Sequence, residues 1–274
     1  MRWSYGADIS STLWRSGRQA LAEKGLLSIL PVAALWATFP LWRLYFKVFP
    51  RGFGFQGERY IYFLHNYNVT WGNERAVEIP IVRAELDRAR GRRILEVGNV
   101  LSHYGAVAHQ ALDKFERGPA VRNEDVATFS GGGPYDLIVS ISTLEHVGFD
   151  EEPRDPDKIR RAVANLRAHL APGGRLLVTL PLGYNAGMDA QLASGELPFD
   201  RCHYLKREGL CTWREATWQE VAGSPYAERW PGARGLVVGL AQNGENGQND
   251  QNGENGGPDD KGNNGEQGDR GEKS

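Results

Sequence analysis

From residue 80 onward the chain switches between helical and strand spacing of its apolar positions. Residues 80–90 read as a helix with Pro80 near its first turn, and residues 93–97 as a buried strand. Residues 135–141 form a second apolar strand. In residues 157–170 the positions of Ile159, Val163, Leu166 and Leu170 fall on one helical face. Pro172, Gly173 and Gly174 then end that helix and turn the chain into a strand at 175–180, and residues 233–240 give a last strand. This β-α-β-α-β order predicts an α/β domain: an open twisted sheet covered by helices, with ligands at the carboxyl ends of its strands.

The two ends of the chain break this rhythm in opposite ways. Residues 25–42 carry no charge between Lys24 and Arg43, with Trp36, Trp42, Tyr45 and Phe46 gathered towards the end of the run. Such a length is compatible with a membrane span, for which about 20 apolar residues suffice. Pro31 and Pro40 are expected to kink or break one continuous helix, and Ser28 and Thr38 dilute the run. Arg2, Arg15, Arg18, Lys24, Arg43, Lys47 and Arg51 outnumber Asp8 and Glu23. Three readings therefore stand together: a packed helical hairpin, a helix lying on an anionic membrane through residues 25–53, and a true span. No short basic leader and small-residue cleavage site frame the run, so a secretory signal is not expected. From Gln242 onward no hydrophobic residue occurs, and Gln-Asn-Gly-Glu-Asn-Gly appears twice, from Gln242 and from Gln251. That segment lacks the apolar surface to offset its ordering entropy and reads as a disordered acidic tail. The expected division is thus an apolar, basic helical segment at 1–55, a domain at 56–241 and the tail at 242–274.

Composition changes the picture little. With 41% hydrophobic and 10% aromatic residues the domain has ample material for a core. The net charge of −2 conceals a tail with eight acidic and three basic side chains, leaving residues 1–241 only weakly positive, too weak a bias to argue for nucleic acid as a partner. Cys202 and Cys211 have no His or Cys companions at metal-ligand spacing, so neither a metal site nor a disulfide framework is signalled, and a reducing, cytoplasmic compartment is the default.

Four segments carry the candidate chemistry. Ile94-Leu95-Glu96-Val97-Gly98-Asn99 is an apolar strand with an acid two residues before a glycine, where the missing Cβ lets backbone approach a ligand. A carboxylate among the three apolar residues of this strand calls for a partner. Asp113 follows the short apolar stretch Ala111-Leu112 and is placed to accept both hydroxyls of a ribose, or to be an ordinary surface charge. Glu124-Asp125-Val126 precedes a glycine-rich turn, where an acid can accept from an adenine amino group. Finally Tyr135-Asp136-Leu137-Ile138-Val139-Ser140-Ile141-Ser142 runs into Thr143-Leu144-Glu145-His146, placing polar side chains at a strand's carboxyl end.

Together these segments, with Pro-Gly-Gly before a strand, resemble the class I S-adenosylmethionine-dependent methyltransferases. More narrowly, Gly98-Asn99-Val100-Leu101-Ser102-His103-Tyr104, Ser140 to Gly148 and Leu180-Pro181-Leu182-Gly183-Tyr184-Asn185 resemble a little-characterised bacterial and archaeal branch of that family. The resemblance covers about residues 56–240. It implies a Rossmann-like, seven-stranded, mostly parallel sheet with helices on both faces. It also implies S-adenosyl-L-methionine as cofactor, with Glu96, Gly98 and Asn99 at the methionine moiety, Asp113 at the ribose, Asp125 near adenine and Ser142 beside them. The usual Gly-x-Gly-x-Gly loop is reduced here to Gly98-Asn99-Val100-Leu101-Ser102, so the loop must follow another path.

Methyl transfer requires that an acceptor be held in line with the sulfonium methyl and, for a hydroxyl, that a base take its proton. His146 is the first candidate base, with Glu145 beside it; packing and capping explain the same two residues equally well. His103, Tyr104, Tyr184 and Asn185 are candidate acceptor contacts, and residues 183–201 read as an irregular lid. In residues 66–75, Trp71 and Arg75 can help close the site, or else be a core anchor and an ion-pair partner of Glu78. The function expected is methyl transfer to a small-molecule, glycan-precursor or lipid-linked acceptor. Two alternatives differ in kind: a non-catalytic relative binding at a membrane or partner surface, and a nicotinamide-dependent oxidoreductase. The latter needs glycines for a pyrophosphate at a helix amino terminus, which this loop lacks.

Overall fold

The structure, a computed structural model, describes residues 29–49, 51–227 and 232–244. The expectations for residues 1–28 and for the tail beyond Gly244 lie outside the described residues. The chain enters as one helix, α1 (Ile29–Val48), followed by a hairpin of β1 (Gly52–Phe55) and β2 (Glu58–Ile61). Contrary to expectation, neither proline breaks α1. Pro31 lies in its first turn, where an amide has no intrahelical partner to lose, and Pro40 is carried inside the helix. One face of α1 is held by Phe39, whose ring lies 4.6 Å from Trp71, and by Phe46, whose ring meets Tyr62 edge-on. Among the described residues no helix is long and apolar enough to cross a membrane.

The domain then runs α2 (Arg75–Arg88), β3 (Ile94–Val97), β4 (Gln110–Leu112), β5 (Val121–Arg122), β6 (Tyr135–Ile141), α3 (Lys158–Ala168), β7 (Leu170–Pro181), α4 (Ala186–Ser194), β8 (Arg201–Gly209), β9 (Thr212–Ala216), α5 (Trp218–Val221) and β10 (Gly235–Gln242). The sheet has eight strands in the order β5-β4-β3-β6-β7-β10-β8-β9, one more than expected. The extra strand is β9, paired with β8 as an antiparallel hairpin at the edge. From β5 to β7 all neighbours are parallel, and β10 is inserted antiparallel between β7 and β8. Strand order reverses at β3, which sits between β4 and β6, so a crevice opens beyond the carboxyl ends of these strands.

Strand pleating divides the core. Leu137, Val139 and Ile141 of β6 face a layer made by α1, the β1-β2 hairpin and α2, while Ile138 faces α3 and α4. α3 buries Ile159, Val163 and Leu166, as the spacing predicts, and Ala162 with them, but it ends at Ala168, so Leu170, expected on the same helical face, instead opens β7. Two further expectations need correction. Pro172-Gly173-Gly174 does not separate helix from strand; it lies inside β7, where the register against β6 shifts and the amide of Gly173 donates to Asn243. Residues 183–201 are not an irregular lid. They contain α4, whose Met188 is in the core; Gln191 donates to the carbonyl of Pro156, and the carbonyl of Pro198 accepts from Arg167 of α3.

Candidate functional site

The connection from β3 to β4 sets the site. Gly98 adopts φ +83°, and a Cβ there would come within 2.2 Å of Thr143 Oγ1, so this position requires glycine. Instead of a crossover helix, the chain takes a single 3-10 turn at Leu101–Tyr104. Val100 and Ser102 thus avoid the glycine-only region, and the different loop path expected from the sequence is found. The turn is tied down by Glu96: its Oε1 accepts from the amides of Val100 (2.9 Å) and Leu101 (2.8 Å), and its Oε2 meets His109 Nε2 at 2.8 Å. Glu96 has no solvent exposure. It holds the loop from inside, and its bonds go to Val100, Leu101 and His109. The short turn offers no long helix whose amino terminus could receive a pyrophosphate, which removes the dinucleotide reading.

Beyond β3, β4 and β6 lies a cavity of about 430 Å³, within the ~300–1,000 Å³ typical of small-molecule sites. Val97, Leu112 and Val126 give it apolar walls; Asp113, Asp125, Ser142 and His146 bring polar groups. Four expected site residues are thus assembled from segments far apart in sequence, while Gly98 and Asn99 begin the turn beside Val97. Asp113 directly follows β4, and its Oδ1 accepts from the amides of Phe115 (2.8 Å) and Glu116 (2.7 Å), which fixes the carboxylate in the cavity wall. Asp125 is more constrained than expected. Its Oδ2 lies 3.0 Å from Lys114 Nζ and 2.6 Å from Lys158 Nζ, and Glu151 bonds the same two lysines. Partial burial alone would push the Asp125 carboxyl up; the two lysines and the amide of Ala127 outweigh it and bring it down to about 2. Two ammonium groups and an amide thus fix this carboxylate in the cavity wall, where an adenine amino group was expected to meet it.

Ser142 sits at φ +37°, an uncommon conformation for a side chain, and its hydroxyl turns away from the cavity to Glu78 Oε1 at 2.6 Å. Glu78 also accepts from Thr179 Oγ1 (2.6 Å) and pairs with Arg75 at 2.6 Å. Arg75 is thus the ion-pair partner of Glu78, and Trp71, 1% exposed, is a core anchor. Glu74 and Glu145 complete a buried acidic cluster around Arg75. Burial raises the Glu145 carboxyl well above its ordinary value, and its Oε2 has no hydrogen-bond partner among the described residues. Asn185, expected at the acceptor, is buried: its Oδ1 caps α4 through the amide of Met188 and its Nδ2 donates to the carbonyl of Glu145. It positions Glu145 rather than meeting an acceptor.

His146 reaches the cavity and is half-exposed. Its Nδ1 lies 2.5 Å from Asp150 Oδ2, which also accepts from Tyr184 Oη at 2.6 Å. Partial burial pushes the Asp150 carboxyl up, but the bonds from Tyr184 and His146 hold it below its ordinary value, so it stays ionised. An ionised partner sets Nδ1 as the donor of this bond, so in the neutral ring Nε2 is the acceptor; Glu145 Oε1, at 3.6 Å from Nε2, is beyond hydrogen-bond range. The Tyr184 ring packs edge-on to His146 at 4.7 Å. His103 and Tyr104 are not brought to this cavity. His103 stacks on Tyr67 at 4.6 Å and pairs with Glu116, and Tyr104 is buried against Phe63 and His65. Asp150 was missed in the sequence, although its position four residues after His146, on the next turn, was the available signal. A second cavity, of about 290 Å³, opens at the opposite end of the strands, where Arg88 and Arg175 are already paired with Glu58 and Glu85.

A family model described as a methyltransferase domain matches residues 74–217, more than half of the chain and all of the segments that build this cavity. The chain belongs to that family. This methyltransferase uses S-adenosylmethionine as its cofactor. Its cavity fits that group: a carboxylate at Asp113 between apolar walls at Val97, Leu112 and Val126 suits a nucleoside without phosphates. Several solved structures are similar in fold. An N-methyltransferase from Bradyrhizobium japonicum WM9, in complex with S-adenosyl-L-homocysteine, is 15% identical, with 63% of this chain and 88% of that one covered and a TM-score of 0.40. An amino pentose methyltransferase from Micromonospora echinaspora is 21% identical, with coverage of 62% and 91% and a TM-score of 0.31. A sugar N-methyltransferase from Streptoalloteichus sp. ATCC 53650 is 16% identical, with coverage of 67% and 94% and a TM-score of 0.34. None of the three bears on this chain's acceptor. No curated protein matches it.

Proposed function

We propose that this methyltransferase acts on a protic group of a small-molecule, glycan-precursor or lipid-linked acceptor, with His146 as the general base. The observation that carries the reading is the Asp150–His146 pair on the wall of the cavity that also holds Asp113. When bound, S-adenosylmethionine supplies an electrophilic methyl group on a sulfonium centre. Asp113 is the residue placed to hold the ribose hydroxyls, between apolar walls at Val97, Leu112 and Val126. Asp150 keeps His146 Nδ1 protonated and its ring oriented, so that Nε2 can take a proton from an acceptor hydroxyl or ammonium. Tyr184 fixes Asp150 and, with its ring against His146 and Tyr226, forms an aromatic edge for a sugar or other small acceptor. A reducing, cytoplasmic location is part of the same proposal and rests on the cysteine usage.

The test is turnover, followed as release of S-adenosylhomocysteine with hydroxyl- and amine-bearing sugars, free and lipid-linked. His146→Ala is expected to lose about 10²–10⁴-fold in kcat with cofactor affinity retained, and Asp150→Asn to lose less and to shift the pH profile. Normal turnover in His146→Ala would overturn the assignment.

A further inference from the structure

α1 is apolar on two faces, and among the described residues only one of them is packed. Phe39, Trp42 and Phe46 pack inward, onto a cluster that includes Trp71 and Tyr62. On the other side, Leu41 (68% exposed), Leu44 (60%), Tyr45 and Val48 (58%) recur at i, i+3, i+4 and i+7, and Phe49 (60%) extends the stripe past the helix end. Large apolar side chains in one contiguous, exposed stripe mark an interaction surface. Its charges are of one sign. Arg43 and Lys47, four residues apart, run along one edge of the stripe and Arg51 follows it, all exposed, while no acidic residue occurs from residue 29 to residue 51. Among the described residues no carboxylate pairs with any of these three cations; Arg51 lies over the Tyr45 ring at 5.7 Å.

We infer that this outer face of α1 docks on the surface of an anionic lipid bilayer, with the apolar stripe entering the acyl boundary and Arg43, Lys47 and Arg51 at the headgroups. A helix with an apolar stripe edged by cations suits that surface on both counts. A second copy of the chain suits it less: a two-fold contact of α1 with itself would bring Arg43 and Lys47 of both copies together with no acid in the helix to offset them. The contact is peripheral, as α1 is not apolar enough to cross. It also lies close to the site: Phe39 touches Trp71, four residues before Arg75, whose guanidinium reaches the carbonyl of Ser142 in the cavity wall at 3.5 Å. The inference stands on the surface alone and does not depend on methyl transfer.

Co-sedimentation of the full chain with vesicles tests it, using phosphatidylcholine alone and phosphatidylcholine mixed with phosphatidylglycerol. The wild type is expected to bind the anionic vesicles, less tightly as salt is raised. The double variant L44E/V48E is expected to lose about tenfold or more in affinity, and R43Q/K47Q to lose its preference for anionic lipid, both with unchanged circular dichroism and cofactor binding. Absence of vesicle binding by the wild type would overturn the inference, as would equal binding by L44E/V48E. So would a wild-type dimer in solution that L44E/V48E dissociates while vesicle binding is unchanged.

Discussion

Glu145 illustrates what a single residue's surroundings decide. It was legible as a polar side chain at a strand's carboxyl end, but the sequence does not reveal that Glu74 and Glu78, some seventy positions earlier, converge on the same arginine. Burial raises the Glu145 carboxyl, and that of Glu74, above the ordinary value, so the folded state holds protons that the unfolded state releases. Stability that is fully present below the unfolded carboxyl value is therefore lost as pH rises towards the raised folded value. Glu145→Gln is expected to flatten this loss, leaving the part due to Glu74. Thermal unfolding midpoints in mildly acidic and mildly alkaline buffers measure it; a variant with the full wild-type slope would contradict the cluster's role. Asp113 and His146, by contrast, were readable one by one, because each follows an apolar strand. Asp125 was readable in position, but its ion pairs were not, since Lys114 and Lys158 lie on separate segments of the chain.

At the scale of elements, the departures all lie where a local signal has two structural meanings. Pro80 suggested a first turn, yet α2 begins five residues earlier, at Arg75, where the amide is taken by the side chain of Asn73. Residues 172–174 suggested a stop and instead supply a bulge, because the strand they interrupt continues to pair on both edges. The β1-β2 and β8-β9 hairpins were not foreseen, their strands being short or rich in charge. The β3-to-β4 connection was anticipated as unusual because Val100 and Ser102 replace glycines; what replaces the helix is the turn that Glu96 holds. Glu96→Ala would leave the amides of Val100 and Leu101 without their partner, at a cost of about 1–3 kcal/mol for each buried donor. Faster hydrogen exchange at those two amides, in a protein less stable by roughly 2–6 kcal/mol, is expected. Unchanged protection there would show that the turn stands without Glu96.

Across the whole molecule, the alternation of strands and helices was enough to specify an α/β sheet with its ligand crevice beyond β3, β4 and β6. That follows from elementary constraints: parallel strands need crossovers, crossovers cover the faces, and the point where strand order reverses leaves a gap. Pairing at the far edge, including the eighth strand, and the use of α1 as a packed outer layer were set by tertiary contacts that no local pattern carries. The central claim is that the gap holds S-adenosylmethionine with Asp113 at its ribose. Isothermal titration calorimetry of the cofactor into the wild type and Asp113→Ala tests it most directly. Saturable binding is expected, weaker by about tenfold or more in the variant, since a hydrogen bond to a charged group is worth roughly 1.5–3 kcal/mol. Equal affinity in the two proteins, or no binding by the wild type at millimolar cofactor, would contradict it.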